Sequence, residues 1–199
     1  WPSVLADAAV RSMWCFGSMR MFLERVREFD GWKLSQDIVW EKQNGSGFAA
    51  DRFKRVHEHA LHWYRGDWST IHHETPKVAV SWRTASNKGR AKPTHTGDIG
   101  SRTWTDDGTR LERSVIAAPN MWRRGAVHPT EKPGDILGPL IRYACPEGGL
   151  VLDPFAGSGS TAVAARMSGR RAVLIEADER YCEVIARRLA QDVLPIGGA

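Results

Sequence analysis

Cysteine is scarce. Cys15, Cys145 and Cys182 are the three in 199 residues, and no two form a Cys-x-x-Cys pair. An odd, scattered set argues against a disulfide framework and fits buried thiols in a reducing cytosol. No apolar run approaches the ~18 residues of a membrane helix. Nothing has the basic, apolar and small-residue succession of a secretory signal. The expected partners therefore do not include a membrane. There is no internal repeat, and the chain opens on Trp1 rather than Met, as a fragment or a processed chain would. Its length leads us to expect one domain, or one domain with an insertion. Such a chain can bury roughly 70% of its unfolded surface.

Metal-ligand spacing is also lacking. His57-Glu58-His59 with His62, and His72-His73, suggest a zinc site, but an H-E-x-x-H motif would need histidine where Leu61 stands. With no cysteine near, these read as surface histidines, and no metal site is expected.

Basic charge is plentiful and unevenly placed. The formal charge is +5, which favours a polyanionic partner. Residues 75–125 hold ten Lys/Arg against four acids, a window of +6, so the rest of the chain sums to −1.

Periodicity organises both ends of the chain. A helix is expected over residues 2–11, a strand over Ser12–Phe16, a helix over Met19–Phe29 stopped by Gly31, and a strand over Trp32–Trp40. Glu41–Phe48 reads as a polar, glycine-rich loop. Val56–Trp63 fits either a strand or a short helix. From Gly66 to Gly125 the periodicity fades, with Trp82, Trp104 and Trp122 isolated among Gly, Thr, Ser, Asn and Arg. A structureless loop of that length is unusual in a compact domain, so 66–125 reads as an inserted subdomain or a segment ordered by a partner. The other reading is a solvated basic loop. Regular structure resumes with a helix over Pro133–Cys145. Strand 150–155, helix 160–168, strand 171–176 and helix 179–191 follow. Two successive strand–helix units argue for an α/β, doubly wound parallel sheet. Cys182, beside Tyr181 on the last helix, reads as packed rather than reactive.

The most informative stretch is Leu150-Val151-Leu152-Asp153-Pro154-Phe155-Ala156-Gly157-Ser158-Gly159-Ser160-Thr161. An apolar strand ends on an acid, and a glycine turn opens a helix. Gly157 to Ala162 fits G-x-G-x-x-G/A, and Glu176 follows nineteen residues after Gly157 at the end of the next strand. On spacing alone this is a dinucleotide fingerprint, and a plain strand–helix turn remains the alternative. Asp153 shifts the balance. A carboxylate at the strand's carboxyl end repels a pyrophosphate and suits a cationic group, such as the ammonium or sulfonium of S-adenosylmethionine. Glu176 would then accept from the ribose hydroxyls. Asp153 capping its own turn is the other reading. Upstream, His128-Pro129-Thr130-Glu131-Lys132-Pro133 has modest physical content: two stiffening prolines, Thr130 or Glu131 as a helix cap, and Pro133 at a first helical position.

Together, HPTEKP, an apolar helix, VLDPFAGSGST and LIEADERYCEVIARRL resemble the carboxyl half of the permuted DNA amino-methyltransferases of the beta group. These transfer a methyl group from S-adenosylmethionine to adenine N6 or cytosine N4. Asp37–Gly45 followed by Arg52–Glu58 looks like the strand–loop region after that family's catalytic motif. The resemblance covers residues 1–65 and 126–191, and 66–125 sits where the family carries target recognition. It implies a Rossmann-like fold of circularly permuted motif order, in one domain incomplete at its amino end, with S-adenosylmethionine as cofactor. It also implies a cofactor site of His128, Thr130, Lys132, Pro133, Asp153, Pro154, Phe155, Ala156, Gly157, Ser158, Gly159, Thr161, Glu176, Ala177 and Asp178. Glu176 would lie on the ribose and Asp178 near the adenine, with His128 through Pro133 beside the methionine moiety.

The implied substrate is double-stranded DNA, with Arg83, Lys88, Arg90, Lys92, Arg102, Arg123 and Arg124 on its phosphates first and base edges second. A second copy of the chain and a restriction endonuclease of the same system are the candidate protein partners. The implied setting is the cytoplasm of a prokaryotic or phage-infected cell. One departure matters. The family's catalytic motif is Asp/Asn/Ser-Pro-Pro-aromatic, and no Pro-Pro pair occurs in this sequence. In the permuted order it would precede Trp1, so no catalytic residue is assigned and impaired turnover by these residues alone is expected. Adenine N6 is the first expected target and cytosine N4 the second. A nicotinamide-dependent oxidoreductase and a degenerate DNA- or cofactor-binding chain are the competing classes.

Overall fold

The computed structural model describes residues 10–46, 50–79, 108–119, 128 and 130–190, with backbone alone for 44–46. It divides into two units, residues 1–74 with 114–199, and Thr75–Arg113. The helix expected over 2–11 lies outside the described residues except for Val10 and Arg11, which precede the first strand.

In the larger unit, β1 (Ser12–Gly17), α1 (Met19–Glu24) and a 3-10 turn (Val26–Phe29) lead to β2 (Lys33–Ser46) and β3 (Arg55–Tyr64). In the smaller unit, β4 (Lys77–Ala79) pairs antiparallel with β5 (Thr109–Leu111). The Glu112 N–H donates to Pro76 O at 3.0 Å at the end of that ribbon. The larger unit resumes with β6 (Val115–Ala117), α2 (Gly134–Ala144), β7 (Leu150–Asp153), α3 (Ser160–Met167), β8 (Arg171–Leu174) and α4 (Glu179–Ala190).

One sheet runs β1-β3-β2-β6, with β3 antiparallel to both neighbours and β6 parallel to β2. A second, parallel sheet pairs β7 with β8 from Leu150↔Arg171 to Asp153↔Leu174. The parallel arrangement expected of the whole thus holds for β7–β8 and β2–β6, while β3 makes the larger sheet mixed. Among the described residues, β1 pairs only with β3 and β7 only with β8.

Strand β3 explains why both faces of the larger sheet are covered. Successive strand residues point to opposite faces, and Ala60 and Leu61 are both buried. Leu61 packs with Cys15, Phe22, Phe29 and Trp32, a cluster closed by α1 and the 3-10 turn. Ala60 packs with Trp40, Ala118, Ile136 and Leu140, a cluster closed by α2. Helix α2 has a second buried stripe, Leu137 and Ile141, packed on Ala164 and Ala165 with Phe16, Val151 and Ala172 around them. Adjacent positions on one helix thereby join the β1 side of the larger sheet to the β7–α3 unit.

Three expectations need correction. The helix read over Met19–Phe29 stops at Glu24 and resumes as a 3-10 turn, which puts both Phe22 and Phe29 in the core, with ring centroids 5.9 Å apart. The loop read over Glu41–Phe48 is strand as far as Ser46, because pairing with β3 carries it past a register shift between Glu41 and Ser46. Helix α2 begins at Gly134 with Pro133 as its cap residue and no side-chain capping bond, so neither Thr130 nor Glu131 caps it.

Candidate cofactor site

The site forms where β7 runs into the glycine turn. Asp153 ends the strand, and its Oδ1 accepts from the Phe155 N–H at 3.0 Å. The capping reading of Asp153 is therefore realised. It leaves the carboxylate further acceptor positions, since an ionised carboxylate has about four. Ala156, Gly157, Ser158 and Gly159 are buried, while Phe155 stays exposed. The Ala156 N–H donates to Ile175 O (3.0 Å) and the Gly159 N–H to Ala156 O (2.8 Å), tying the turn to the end of β8 and to itself.

Two glycines are required here for different reasons. Gly157 has φ +52° and lies under the His128 ring, 3.4 Å from where a Cβ would be. Gly159 has φ +79°, and an added Cβ would sit 2.9 Å from Ile185. Both conformations are in the left-handed region that glycine enters at no steric cost, and both permit close approach from another element.

Glu176 reaches back across the turn. Its Oε2 accepts from the Gly157 N–H at 2.7 Å and its Oε1 from the Asp178 N–H at 2.9 Å. Those backbone donors, that of Asp178 first, hold its carboxyl below the usual range despite some desolvation. Asp178 is occupied locally: Arg180 donates to it from Nε at 3.1 Å, from Nη2 at 2.6 Å and from its own N–H at 3.0 Å. The guanidinium bond is the main reason its carboxyl also lies low.

His128 and Glu131 of the HPTEKP segment reach the same turn, the latter through Arg188. His128 meets the Tyr181 ring edge-on at 4.6 Å, and its Nδ1 accepts from the Thr130 N–H at 3.2 Å. Glu131, with only 2% of its side chain exposed, is paired at 2.8 Å with Arg188. Arg188 also donates to Ser158 O at 2.8 Å. Lys132 faces the other way, 3.1 Å from Glu58, and lies over the rings of Phe16 and Trp40. The expected residues His128, Asp153, Ala156 to Gly159, Glu176 and Asp178 are thus gathered round one turn. Lys132 is directed to β3 instead. Pro133 is the cap residue before α2, and Thr161 lies in the first turn of α3. All seven expected DNA-contacting residues, Arg83, Lys88, Arg90, Lys92, Arg102, Arg123 and Arg124, lie outside the described residues.

Sequence reasoning missed the stripe Tyr181, Ile185 and Arg188 on α4. The three touch His128, Gly159 and Ser158 respectively. Their spacing of four and then three residues puts them on one helix face, which was the available signal. Cys182 is off that stripe. It is exposed, with Sγ 3.6 Å from Glu176 O, contrary to the packed position expected. The histidines are not all superficial either: His62 is fully buried, with Nε2 2.8 Å from Ser12 Oγ.

The architecture is that of the Rossmann-like methyltransferases. M1.HpyAVI, solved as a complex with S-adenosylmethionine, superposes with a TM-score of 0.63 at 21% identity, over 94% of this chain and 80% of that one. PvuII DNA methyltransferase, described as cytosine-N4-specific, gives 0.59 at 16% identity over 92% and 65%. The family model for N6/N4 DNA methylases matches residues 5–187, so the chain belongs to the N6/N4 DNA methylase family. Among curated relatives, the type II methyltransferase M2.DpnII of Streptococcus pneumoniae is 27% identical over 89% of this chain. M2.LlaDCHI of Lactococcus lactis subsp. cremoris is 26% identical, also over 89%. The chain spans 60% of the length of each of these two relatives. No helix among the described residues is long and apolar enough to cross a membrane.

Proposed function

We propose that the chain serves S-adenosylmethionine-dependent methylation of an exocyclic amine in double-stranded DNA, with adenine N6 as the target and cytosine N4 as the alternative. The observation that carries this reading is the convergence of HPTEKP with the glycine turn, through His128 on Gly157 and through Glu131 and Arg188 on Ser158. A nicotinamide site accounts for Gly157, Gly159 and Glu176 but gives no reason for this second segment, and it would set the Asp153 carboxylate beside a pyrophosphate of like charge.

The residues fit the cofactor. The Ser158 hydroxyl is buried with no partner among the described groups, and a buried polar group of that kind favours a ligand or water that satisfies it. When bound, the cofactor supplies an electrophilic methyl on a sulfonium. Asp153 supplies negative charge at the strand end to the cationic portion. Glu176, already fixed by two backbone N–H groups, keeps acceptor positions for ribose hydroxyls. The exposed Phe155 gives an apolar wall.

The acceptor side is incomplete in this sequence. An exocyclic amine is a weak nucleophile because its lone pair is delocalised into the base. A Pro-Pro-aromatic motif would accept from that amine and stack on the flipped ring. With no Pro-Pro pair, these 199 residues alone turn over poorly in this reading. Strands β1 and β7, each paired on one side only among the described residues, offer edges to which a strand carrying such a motif can add. The basic segment within 66–125 serves as the DNA-contacting region. Its phosphate contacts make affinity fall steeply with salt, by roughly 0.9 log units per contact for each tenfold rise in salt.

Photolabelling with radiolabelled S-adenosylmethionine tests the cofactor assignment. Labelling suppressed by S-adenosylhomocysteine, untouched by NAD and weakened in Asp153→Asn supports it. Labelling suppressed by NAD contradicts it. Robust methyl incorporation into DNA by the 199 residues alone contradicts the expected impairment.

A further inference from the structure

We infer that Arg188 is a positioning residue for the cofactor turn, held in place by Glu131. The inference rests on the reading of that turn as the S-adenosylmethionine site. Ser158 stands between Gly157 at φ +52° and Gly159 at φ +79°. Both neighbours are glycines, the residues with most backbone freedom to lose on ordering. The peptide plane between Ser158 and Gly159 immediately precedes α3; its Gly159 N–H is held within the turn by Ala156 O, while its Ser158 carbonyl is held from outside the turn.

Arg188 acts on that plane. Nη1 donates to Ser158 O at 2.8 Å, and Nη2 donates to Glu131 Oε1 at 2.8 Å. A planar guanidinium serves two acceptors in fixed directions at once, which a lysine ammonium on a flexible stem does not reproduce. Glu131 is nearly inaccessible, with 2% of its side chain exposed against 29% for Arg188. The carboxylate is thus the buried anchor, and the arginine is the arm reaching the turn.

The pairing also settles the charge. Glu131 offsets Arg188, so the clamp adds no net cation to a crevice where Asp153 has to receive one. Glu131 sits in HPTEKP, and its neighbour Lys132 binds Glu58 on β3. Consecutive side chains of one segment hold opposite structures, the larger sheet and the glycine turn. HPTEKP is in this sense the tether through which Arg188 is oriented, and Arg188 is the contact through which HPTEKP fixes the turn.

The test uses Arg188→Met, Arg188→Lys and Glu131→Gln, with Arg187→Met as control. Arg187 is the exposed neighbour and pairs with Glu183 instead. Two readouts are taken: hydrogen exchange of peptides across 154–161 in the ligand-free chain, and affinity for S-adenosylhomocysteine by calorimetry. Loss of a charge-assisted bond to the turn predicts about tenfold weaker binding for Arg188→Met. It also predicts faster exchange confined to the turn, with β1 and β3 unchanged. Arg188→Lys recovers only part of the affinity, and Glu131→Gln combined with Arg188→Met is no weaker than Arg188→Met alone. Arg187→Met changes neither readout.

Unchanged exchange and affinity in Arg188→Met overturn the inference. So does a rise in exchange spread evenly over the chain in Arg188→Lys and Glu131→Gln, which marks a general structural role. If Arg188→Met does not fold, those two variants carry the test. Failure of the unsubstituted chain to bind S-adenosylhomocysteine sinks the cofactor reading instead, and the ligand-free exchange distinguishes the two failures.

Discussion

The two halves joined by α2 are held together in opposite ways. The larger sheet is stitched by rings. Trp14 Nε1 donates to Leu140 O at 3.0 Å and Trp40 Nε1 to Ala118 O at 2.8 Å, while Phe29 stacks on Trp63 with centroids 4.3 Å apart. The half from β7 to α4 has no tryptophan at all, since all nine lie at or before Trp122. Its turn is held by backbone bonds, the Glu176 carboxylate and Arg188, and α4 has no fully buried residue. Bulky rings fill the interior around β3 among the described residues. A turn stripped of side chains and fixed by polar bonds keeps its surface available to one. The scaffold and the site are therefore separable by mutation, and the described tryptophans, Trp14, Trp32, Trp40, Trp63 and Trp68, report on the scaffold.

The largest expected break falls in the scaffold. Ile136 is fully buried against Trp40, Ala60 and Leu140. Ile136→Ala should cost about 2–5 kcal/mol through lost burial and a cavity, read by chemical denaturation followed through tryptophan emission. A loss below about 1 kcal/mol would mean that this cluster collapses around the gap.

A pH effect comes next and is also confined to the scaffold. Burial, followed by the nearby charge of His73, lowers the His62 pKa to about 4. The unfolded chain takes up the proton at higher pH than the folded one does. Stability attributable to His62 is thus intact above the unfolded value near 6.5 and is lost as pH falls towards 4, by roughly 3 kcal/mol in all. His62→Gln should flatten this part of the stability–pH curve. An unaltered slope would exclude His62 as its source.

The matching break in the site is Gly159→Ala. Its Cβ meets Ile185 at 2.9 Å on a backbone of φ +79°, a combination costing about 1–3 kcal/mol. We expect up to about 100-fold weaker S-adenosylhomocysteine binding with tryptophan emission unchanged. Emission that shifts together with affinity would show that the halves are not separable.

The smallest effect tests the link between them. Burial raises the pKa of Glu58, but Lys132 and Lys42 together outweigh it and hold the carboxyl below its ordinary value. Its contribution is present above the unfolded value and is lost as pH falls through the folded one. Glu58→Gln should cost about 1 kcal/mol at neutral pH, measured by thermal unfolding, and leave affinity within about twofold.

Legibility from sequence followed the same division. The strand–helix alternation from Leu150 to Ala190 was readable to within about two residues, because each element carries its own apolar pattern and the glycines mark the turn. In the larger sheet the structure depends on partners far along the chain. Asn44-Gly45-Ser46 has the composition of a loop, and pairing with β3 makes it strand. The polar run His57-Glu58-His59 obscured the strand that becomes central, because Glu58 is compensated by Lys42 and Lys132 rather than by water. Asp153 had two readings, turn cap and ligand partner. The cap is formed, and the ligand role stands on the acceptor positions it leaves. Arg188 carries no local signal of its role, because its acceptors, Glu131 and Ser158, lie 57 and 30 residues away.

The central claim is that the turn from Asp153 to Gly159, closed by Glu176 and by HPTEKP, holds S-adenosylmethionine. Titration calorimetry of the chain with S-adenosylhomocysteine and, separately, with NAD tests it most directly. Saturable binding of S-adenosylhomocysteine, weakened in Asp153→Asn, with no heat from NAD, is the predicted result. Binding of NAD without S-adenosylhomocysteine would contradict it.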